Sequence, residues 1–167
     1  MAERKQPITP RKGTITFYDL NHVHSYEVKY ENGNFAISTP GVQETDLLDR
    51  GVLQDPPRVA TGDDQACSFT FDAEFVDAAG VGYATLLDIP WNLGFVASGW
   101  TTVYGASSDT IGWDVEIVWD TSADTGYDIK MSFPYSRIRG QVAEGAPTAR
   151  ISVAGVCPQL LPDVTHA

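Results

Sequence analysis

Hydrophobic and polar residues alternate with a period of two along most of the chain from Gly13 onwards. Such alternation is typical of β-strands that bury one face and expose the other. The longest example runs from Cys67 to Phe75, where Cys, Phe and Ala alternate with Ser, Thr, Asp and Glu. Shorter alternating stretches predict further strands over residues 14–18, 26–30, 35–37, 113–119, 127–135 and 150–153, with 137–142 continuing the sheet.

One turn signal links two of these predicted strands. Asn32-Gly33 lies between the strand that ends at Tyr30 and the strand that begins at Phe35. A tight two-residue hairpin turn needs a positive φ at both turn positions, which Asn-Gly adopts at low cost. We therefore predict a β-hairpin that pairs residues 26–30 with 35–37.

A single short helix is predicted, over Asp77–Leu87. Asp77 is a suitable N-cap, Val81 and Ala84 belong to a weak helical stripe, and Pro90 is expected to end the helix. The other elements are roughly six to eight strands joined by turns, a pattern that favours sandwiches and barrels. The predicted fold is therefore mainly β: an antiparallel two-sheet sandwich or open barrel with one short helix and a long loop.

The long loop is predicted over residues 39–65. It contains Pro40-Gly41, Pro56-Pro57 and Gly62-Asp63-Asp64 and shows no sustained periodicity. Its apolar residues form a single cluster: Leu47, Leu48, Val52 and Leu53. Structureless loops longer than about 15 residues are uncommon in compact domains and are usually functional or interaction-competent. We therefore expect this loop to contact a partner.

The length of 167 residues fits one domain, and 43% hydrophobic residues predict a folded core. We divide the chain into an N-terminal arm (1–12), a β domain (13–157) and a C-terminal tail (158–167).

The chain has 11 Lys and Arg residues and 22 Asp and Glu residues, which gives a net charge of -11. Tight binding to nucleic acid phosphates needs clustered Lys and Arg, so this function is disfavoured. The arm is the exception, because it carries Arg4, Lys5, Arg11 and Lys12 against Glu3 alone.

Several classes of protein lack their signature in this sequence. No apolar stretch approaches the roughly 18 residues that a membrane-spanning helix needs, and the N-terminus lacks the apolar region of a secretory signal. Cys67 and Cys157 lie far apart, without C-x-x-C spacing, so we expect two reduced, buried thiols. Motifs for acyl transfer, P-loop and dinucleotide binding are missing, and we expect no cofactor, no metal and no catalysis.

The sequence contains weak signals for other functions, and most of them also have a purely structural explanation. Asp72 and Glu74, or Asp114 and Glu116, have the spacing of a glycosidase carboxylate pair, although alternating acids usually mark a solvated strand face. His22 and His24 form an H-x-H pair, which supplies only two metal ligands. Sugar-stacking aromatic residues are a further alternative. Trp113 and Trp119 share the core side of their strand, which leaves Trp91 and Trp100 as candidates for a sugar-binding module.

Taken together, the pattern resembles the tail tube (major tail) proteins of long-tailed bacteriophages. The resemblance lies in the basic arm, the predicted strand hairpin, the long loop that opens into Gly62–Phe75, the short helix, the Trp-bearing strands and the terminal segment Glu144–Gly155. It covers about residues 13–157 and consists of strand and loop patterns rather than single invariant residues. Other virion β-proteins, such as a tail terminator or a capsid decoration protein, are the alternatives, and only assembly geometry separates them from a tail tube protein.

The resemblance implies a structural virion protein that is made in the host cytoplasm and ends up in the tail. Its copies would form hexameric rings, stacked into a tube through which viral DNA passes without specific binding. Partners would be the protein itself and tape-measure, tail-tip and tail-terminator proteins. In this hypothesis the long loop and the arm contact neighbouring rings, and repulsive carboxylates line the channel: Asp72, Glu74, Asp114, Glu116 and Asp128.

Overall fold

A computed structural model describes residues 13–28, 35–39, 48–49, 52–53, 66–74, 84–103, 111–119, 128–143, 150–159 and 161–166. The strands in these ranges are β1 (Gly13–Tyr18), β2 (Ser25–Val28), β3 (Ala36–Ser38), β4 (Leu48–Asp49), β5 (Val52–Leu53), β6 (Cys67–Glu74), β7 (Trp113–Trp119), β8 (Ile129–Ala143), β9 (Arg150–Cys157) and β10 (Asp163–His166). Two short helices, α1 (Asp88–Trp91) and α2 (Gly94–Gly99), lie between β6 and β7.

The strands form two antiparallel sheets that share β8. The first sheet has the order β2-β1-β7-β8-β10, and the second has the order β8-β9-β6-β3. Strands β4 and β5 pair only with each other among the described residues. The prediction of a mainly β, antiparallel sandwich or open barrel is confirmed.

Strand β8 belongs to both sheets because it changes neighbours partway along its length. Residues 129–136 pair with β7, residues 129–132 also pair with β10, and residues 137–143 pair with β9. The register with β7 shifts between Trp113 and Val115, opposite a stretch of β8 that contains Tyr135. Tyr135 has a φ of 53°, the left-handed conformation that is common at a β-bulge. The bulge bends β8 where it passes from one sheet to the other.

The hydrophobic core lies between the inner faces of the two sheets. Phe17 of β1 contacts Phe71 of β6 with ring centroids 6.1 Å apart, and Phe69 contacts Phe133 of β8 at 4.8 Å. Many apolar residues at alternate strand positions are buried here, including Ile15, Val115, Ile117, Ile151 and Val153. The period-two pattern therefore predicted the inward face of β1, β6, β7 and β9 correctly.

The helical segment differs from the prediction. Residues 77–83 of the predicted Asp77–Leu87 helix lie outside the described residues, and residues 84–87 are not helical. Helix α1 instead contains Pro90 in its first turn, where the missing N–H has no helical partner to lose. Pro90 packs so closely on Gly140 of β8 that a Cβ added at Gly140 would lie 2.8 Å from Cγ of Pro90.

Among the described residues, no helix is long and apolar enough to cross a membrane.

The predicted hairpin between residues 26–30 and 35–37 is wrong for the strands that the structure describes. Strand β2 pairs with β1 in the first sheet, whereas β3 pairs with β6 in the second sheet. A short turn joins β1 to β2, and the antiparallel pairing of these two strands places Val28 opposite Ile15 in the core. Asn32-Gly33 lies outside the described residues.

Candidate functional site: outer faces and edges of the two sheets

The carboxylates that were predicted to line a channel divide between the two outer faces. Asp114 and Glu116 of β7 alternate with buried Trp113, Val115 and Ile117, so they point away from the core on the first sheet. Asp72 of β6 alternates with buried Phe71 and Ala73 on the second sheet. Glu74 lies opposite Arg150 in the register of β6 and β9, and Asp128 immediately precedes β8. The five residues therefore do not share one face.

Asp114 holds two neighbouring elements in place. Its Oδ1 accepts a hydrogen bond from the backbone N–H of Tyr135 at 2.9 Å, and its Oδ2 lies 2.8 Å from Nε2 of His22. Tyr135 forms the bulge of β8, and His22 lies in the turn between β1 and β2. The imidazole of His22 also stacks on Tyr18 with ring centroids 4.9 Å apart. One carboxylate thus joins a turn, a strand and a bulge.

Both partners of Asp114 have left-handed backbone conformations. His22 has a φ of 54° and Tyr135 has a φ of 53°, and neither residue is glycine. Such conformations cost of order 1 to 3 kcal/mol each and persist only where surrounding contacts fix them. The two hydrogen bonds to Asp114 are such contacts. Asp114 is therefore first a bracing residue, with only 18% of its side chain exposed.

Glu116 is also engaged. It lies 2.6 Å from Nζ of Lys130 on β8, and 15% of its side chain is exposed. Burial raises the pKa of the neighbouring Tyr18 hydroxyl, and the negative charge of Glu116 raises it further. The outer face of the first sheet nevertheless remains acidic, because its described side chains include four carboxylates against the one ammonium of Lys130: Glu27, Asp114, Glu116 and Asp163.

The outer face of the second sheet has a different charge. Three exposed arginines lie on it, Arg137 and Arg139 on β8 and Arg150 on β9. Between them a groove of about 340 Å³ follows the small residues Ser152 and Ala154 of β9. Its walls come from β6 and β8 and include Thr70, Asp72, Arg139 and Gln141. The Ser152 hydroxyl donates a hydrogen bond to Oδ1 of Asp72.

Three strands, β2, β10 and β3, are edge strands of the two sheets among the described residues. Within the described ranges, β2 pairs only with β1, β10 only with β8, and β3 only with β6. All four residues of β10 are exposed. The backbone groups on the far side of such a strand are available for pairing with another chain. Among the described residues the first sheet therefore has an unpaired edge at each end, one at β2 and one at β10.

The helical segment exposes large apolar side chains. Trp91 is 46% exposed, Leu93 57% and Phe95 40%. Trp100, by contrast, is 9% exposed and packs edge-on against Trp113, with ring centroids 5.9 Å apart. Of the two residues considered for a sugar-stacking platform, only Trp91 is therefore accessible. We call Trp91, Leu93 and Phe95 the helical apolar surface.

The histidine pair and the two cysteines that the sequence singled out lie in ordinary structural surroundings. His22 pairs with Asp114, and His24 contacts the edge of Trp100 at 5.7 Å. In the part of the chain that the structure describes, no three His, Cys, Asp or Glu residues lie together as a metal site would require. Cys67 and Cys157 are free and buried, and they are register partners across β6 and β9. Burial raises the pKa of both thiols, which makes them less reactive.

Sequence reasoning missed the structural role of Asp19. This carboxylate is 2% exposed and accepts backbone hydrogen bonds from Val23 at 2.8 Å, His24 at 3.0 Å and Thr101 at 3.2 Å. Burial alone would raise its pKa, but the three backbone N–H groups outweigh burial and hold the pKa below its ordinary value. Nothing in the local sequence indicates the contact with Thr101, which is distant along the chain.

The residues predicted to contact neighbouring rings fall mainly on undescribed parts of the chain. The arm residues Arg4, Lys5, Arg11 and Lys12 lie outside the described residues, as does Leu47. The backbones of Leu48, Val52 and Leu53 form the β4–β5 pair. Their proposed contacts stay predictions.

No protein-family model, no curated protein and no solved structure matches this chain.

Proposed function

We propose that this protein is a structural subunit of a bacteriophage tail tube. Copies of the chain join side by side into rings, expected to be hexameric, and the rings stack into a hollow tube for the passage of viral DNA. The observation that carries the proposal is the pair of edge strands of the first sheet, β2 and β10, neither of which has a further strand partner in the part of the chain that the structure describes. The strand and loop pattern of the sequence supports it independently.

The two edges favour assembly into a closed ring. An edge strand left open can pair with another chain and is a common cause of uncontrolled association. When β10 of one copy adds to β2 of the next, each copy uses one edge as donor and the other as acceptor. Repetition of such a head-to-tail contact closes a ring if the rotation between copies permits it. Pairing in the ring then protects both edges.

The helical apolar surface supplies further contact area. Exposed apolar patches usually mark interaction sites, and three large apolar side chains are exposed within five residues of this segment. Trp91, Leu93 and Phe95 expose 40 to 57% of their surface. Aromatic residues are enriched in the cores of protein interfaces. This surface is therefore the best candidate for the contact between stacked rings.

The outer face of the first sheet is the preferred channel lining. It is acidic because Lys130 compensates only one of its four carboxylates. Like charge keeps the DNA backbone from adhering to the wall, whereas a basic lining would hold it. Asp114 and Glu116 belong to this lining, and Asp72 does not. In this proposal, only the carboxylates on the outer face of the first sheet line the channel.

A matched pair of substitutions tests the edge junction. Val164 of β10 is 49% exposed, and Val156 on the outer face of the second sheet is 46% exposed. Lysine on an edge strand opposes pairing with a further strand. We expect Val164→Lys to prevent formation of rings and tubes, as seen by electron microscopy, while Val156→Lys forms them normally. Tubes from Val164→Lys would contradict the junction at β10.

A further inference from the structure

The arginine face of the second sheet is unusual for this chain. Arg137, Arg139 and Arg150 lie on one exposed face of a protein that carries a net charge of -11. Among the described residues the two ion pairs are His22 with Asp114 and Lys130 with Glu116, and both lie on the first sheet. Arg137, Arg139 and Arg150 take part in neither pair, so within the described residues no ion pair competes with an acidic partner for them.

The spacing of these arginines suits one kind of ligand. Arg137 and Arg139 alternate along β8, so their side chains leave the same face about 6.6 to 6.8 Å apart along the strand. Carboxylates at alternate positions of an extended peptide have the same spacing. A guanidinium group binds a carboxylate through two parallel hydrogen bonds, which a flexible ammonium group cannot form.

The groove beside the arginines can take a short stretch of extended chain. Its lining takes three consecutive residues from each of β6, β8 and β9, and the small residues Ser152 and Ala154 lie on the central strand. Gln141 and Thr70 on its walls can exchange hydrogen bonds with peptide groups. Asp72 lies on the β6 wall of the groove, across Ser152 from Gln141, and would repel a carboxylate placed directly against it. A ligand with neutral polar residues at that point is therefore favoured.

We propose that this arginine face, defined by Arg137, Arg139, Arg150 and the adjoining groove, binds an extended acidic segment of another protein. If the first sheet lines the channel of a tube, the outer face of the second sheet points away from that channel and stays accessible. The binding itself requires only one subunit and does not depend on assembly. A nucleic acid is a poorer ligand, because its many phosphates would meet the negative charge of the remaining surface.

Peptide binding to the full chain tests the proposal. The probes are a fluorescent peptide in which Asp alternates with Ser, a peptide of the same composition with all Asp residues in one block, and a single-stranded oligonucleotide. Fluorescence anisotropy measures each affinity. We expect saturable binding of the alternating peptide, weaker binding of the block peptide and the weakest binding of the oligonucleotide. Absence of saturable binding, or equal or tighter binding of either other probe, would overturn the proposal.

Two charge-matched variants locate the binding site. Arg137→Glu with Arg139→Glu should weaken binding of the alternating peptide about tenfold or more, since two charge-assisted contacts become repulsive. Arg11→Glu with Lys12→Glu changes the net charge equally and should weaken it less than about threefold. Equal losses in both variants would show that net charge alone governs binding, against the proposal.

Folding and assembly are measured separately. Arg137→Gln with Arg139→Gln removes the guanidinium groups without adding repulsion, and it should also weaken binding while the thermal unfolding curve stays unchanged. Electron microscopy of the same variants should show normal tubes. A parent protein that binds the alternating peptide but forms no tubes would count against the proposed assembly and not against the arginine face, whereas unweakened binding by the Gln variant would overturn the arginine face.

Discussion

Gly155 of β9 and Phe69 of β6 are register partners, and the ring of Phe69 occupies the space that a side chain at position 155 would need. A Cβ at Gly155 would lie closer than 3.0 Å to three ring carbons of Phe69. The ring cannot move away easily, because it also contacts Phe133 at 4.8 Å and Phe35 at 6.1 Å. The close approach of this pair therefore sets the packing at the centre of the core.

We predict that Gly155→Ala destabilises the fold by about 3 kcal/mol, the upper range for an overpacked core. Gly99→Ala is the control, since its Cβ would meet no atom nearer than 3.5 Å and alanine favours helix α2. That variant should leave the free energy of unfolding unchanged or raise it by up to about 1 kcal/mol. Urea unfolding of both variants gives the comparison. A Gly155→Ala protein as stable as the parent would contradict the packing described at Phe69.

Asp19 is predicted to be the main carboxylate that makes folding sensitive to acid. In Asp19→Asn an amide NH₂ replaces one oxygen that accepts backbone hydrogen bonds, so we expect a loss of about 1 to 3 kcal/mol at neutral pH. The folded-state pKa of Asp19 lies below its ordinary value of 3.8. Its contribution is therefore complete above pH 3.8 and disappears as the pH falls through the folded-state pKa.

Unfolding curves at several pH values check this prediction. The difference in stability between the parent protein and Asp19→Asn should be constant near neutral pH and should shrink as the pH falls below about 4. Glu27→Gln is a suitable control because Glu27 is exposed on β2. A gap between the parent and Asp19→Asn that stays constant down to acidic pH would refute the role of the ionised carboxylate.

The helical apolar surface should be needed for assembly and not for folding. We predict that Leu93→Glu unfolds at the same temperature as the parent, because Leu93 is 57% exposed, but that it forms no tubes. Val156→Glu serves as the control on the arginine face and should assemble. Light scattering reports the mass in solution, and thermal unfolding reports the fold. Normal tubes from Leu93→Glu would exclude this surface as a ring contact.

Deletion of residues 46–53 tests the predicted loop contact between rings. The β4–β5 pair has no strand partner elsewhere among the described residues, so its removal should leave both sheets intact. We predict a folded protein, with the parent's circular dichroism spectrum, that does not polymerise. Polymerisation of the deletion variant would show that the loop is dispensable for stacking.

The sequence predicted the strands well because burial of alternate residues is a local signal. Phe69 and Phe71, for instance, could be assigned to the core from their spacing alone, and both are buried. Which strands pair with each other was harder to predict from the sequence. Asn32-Gly33 predicted a hairpin, yet β2 and β3 lie in different sheets, because the pairing depends on which core surfaces fit together. The helix was misplaced since Pro90 was taken as a stop and lies in the first turn of α1.

Only part of the candidate site was visible in the sequence. The outward direction of Asp72, Asp114 and Glu116 followed from strand parity. Their division between two faces did not, because it depends on how β8 passes from one sheet to the other. The bracing role of Asp114 depends on the backbone conformations of His22 and Tyr135, which composition and periodicity do not encode.

The central claim is that this chain assembles through its sheet edges into a tube. The most direct measurement is negative-stain electron microscopy of the purified protein at high concentration, with light scattering of the same sample. We predict stacked rings or hollow tubes that contain many copies of the chain. A protein that remains a monomer at every concentration, even when preformed tube ends are added as seeds, would contradict the account.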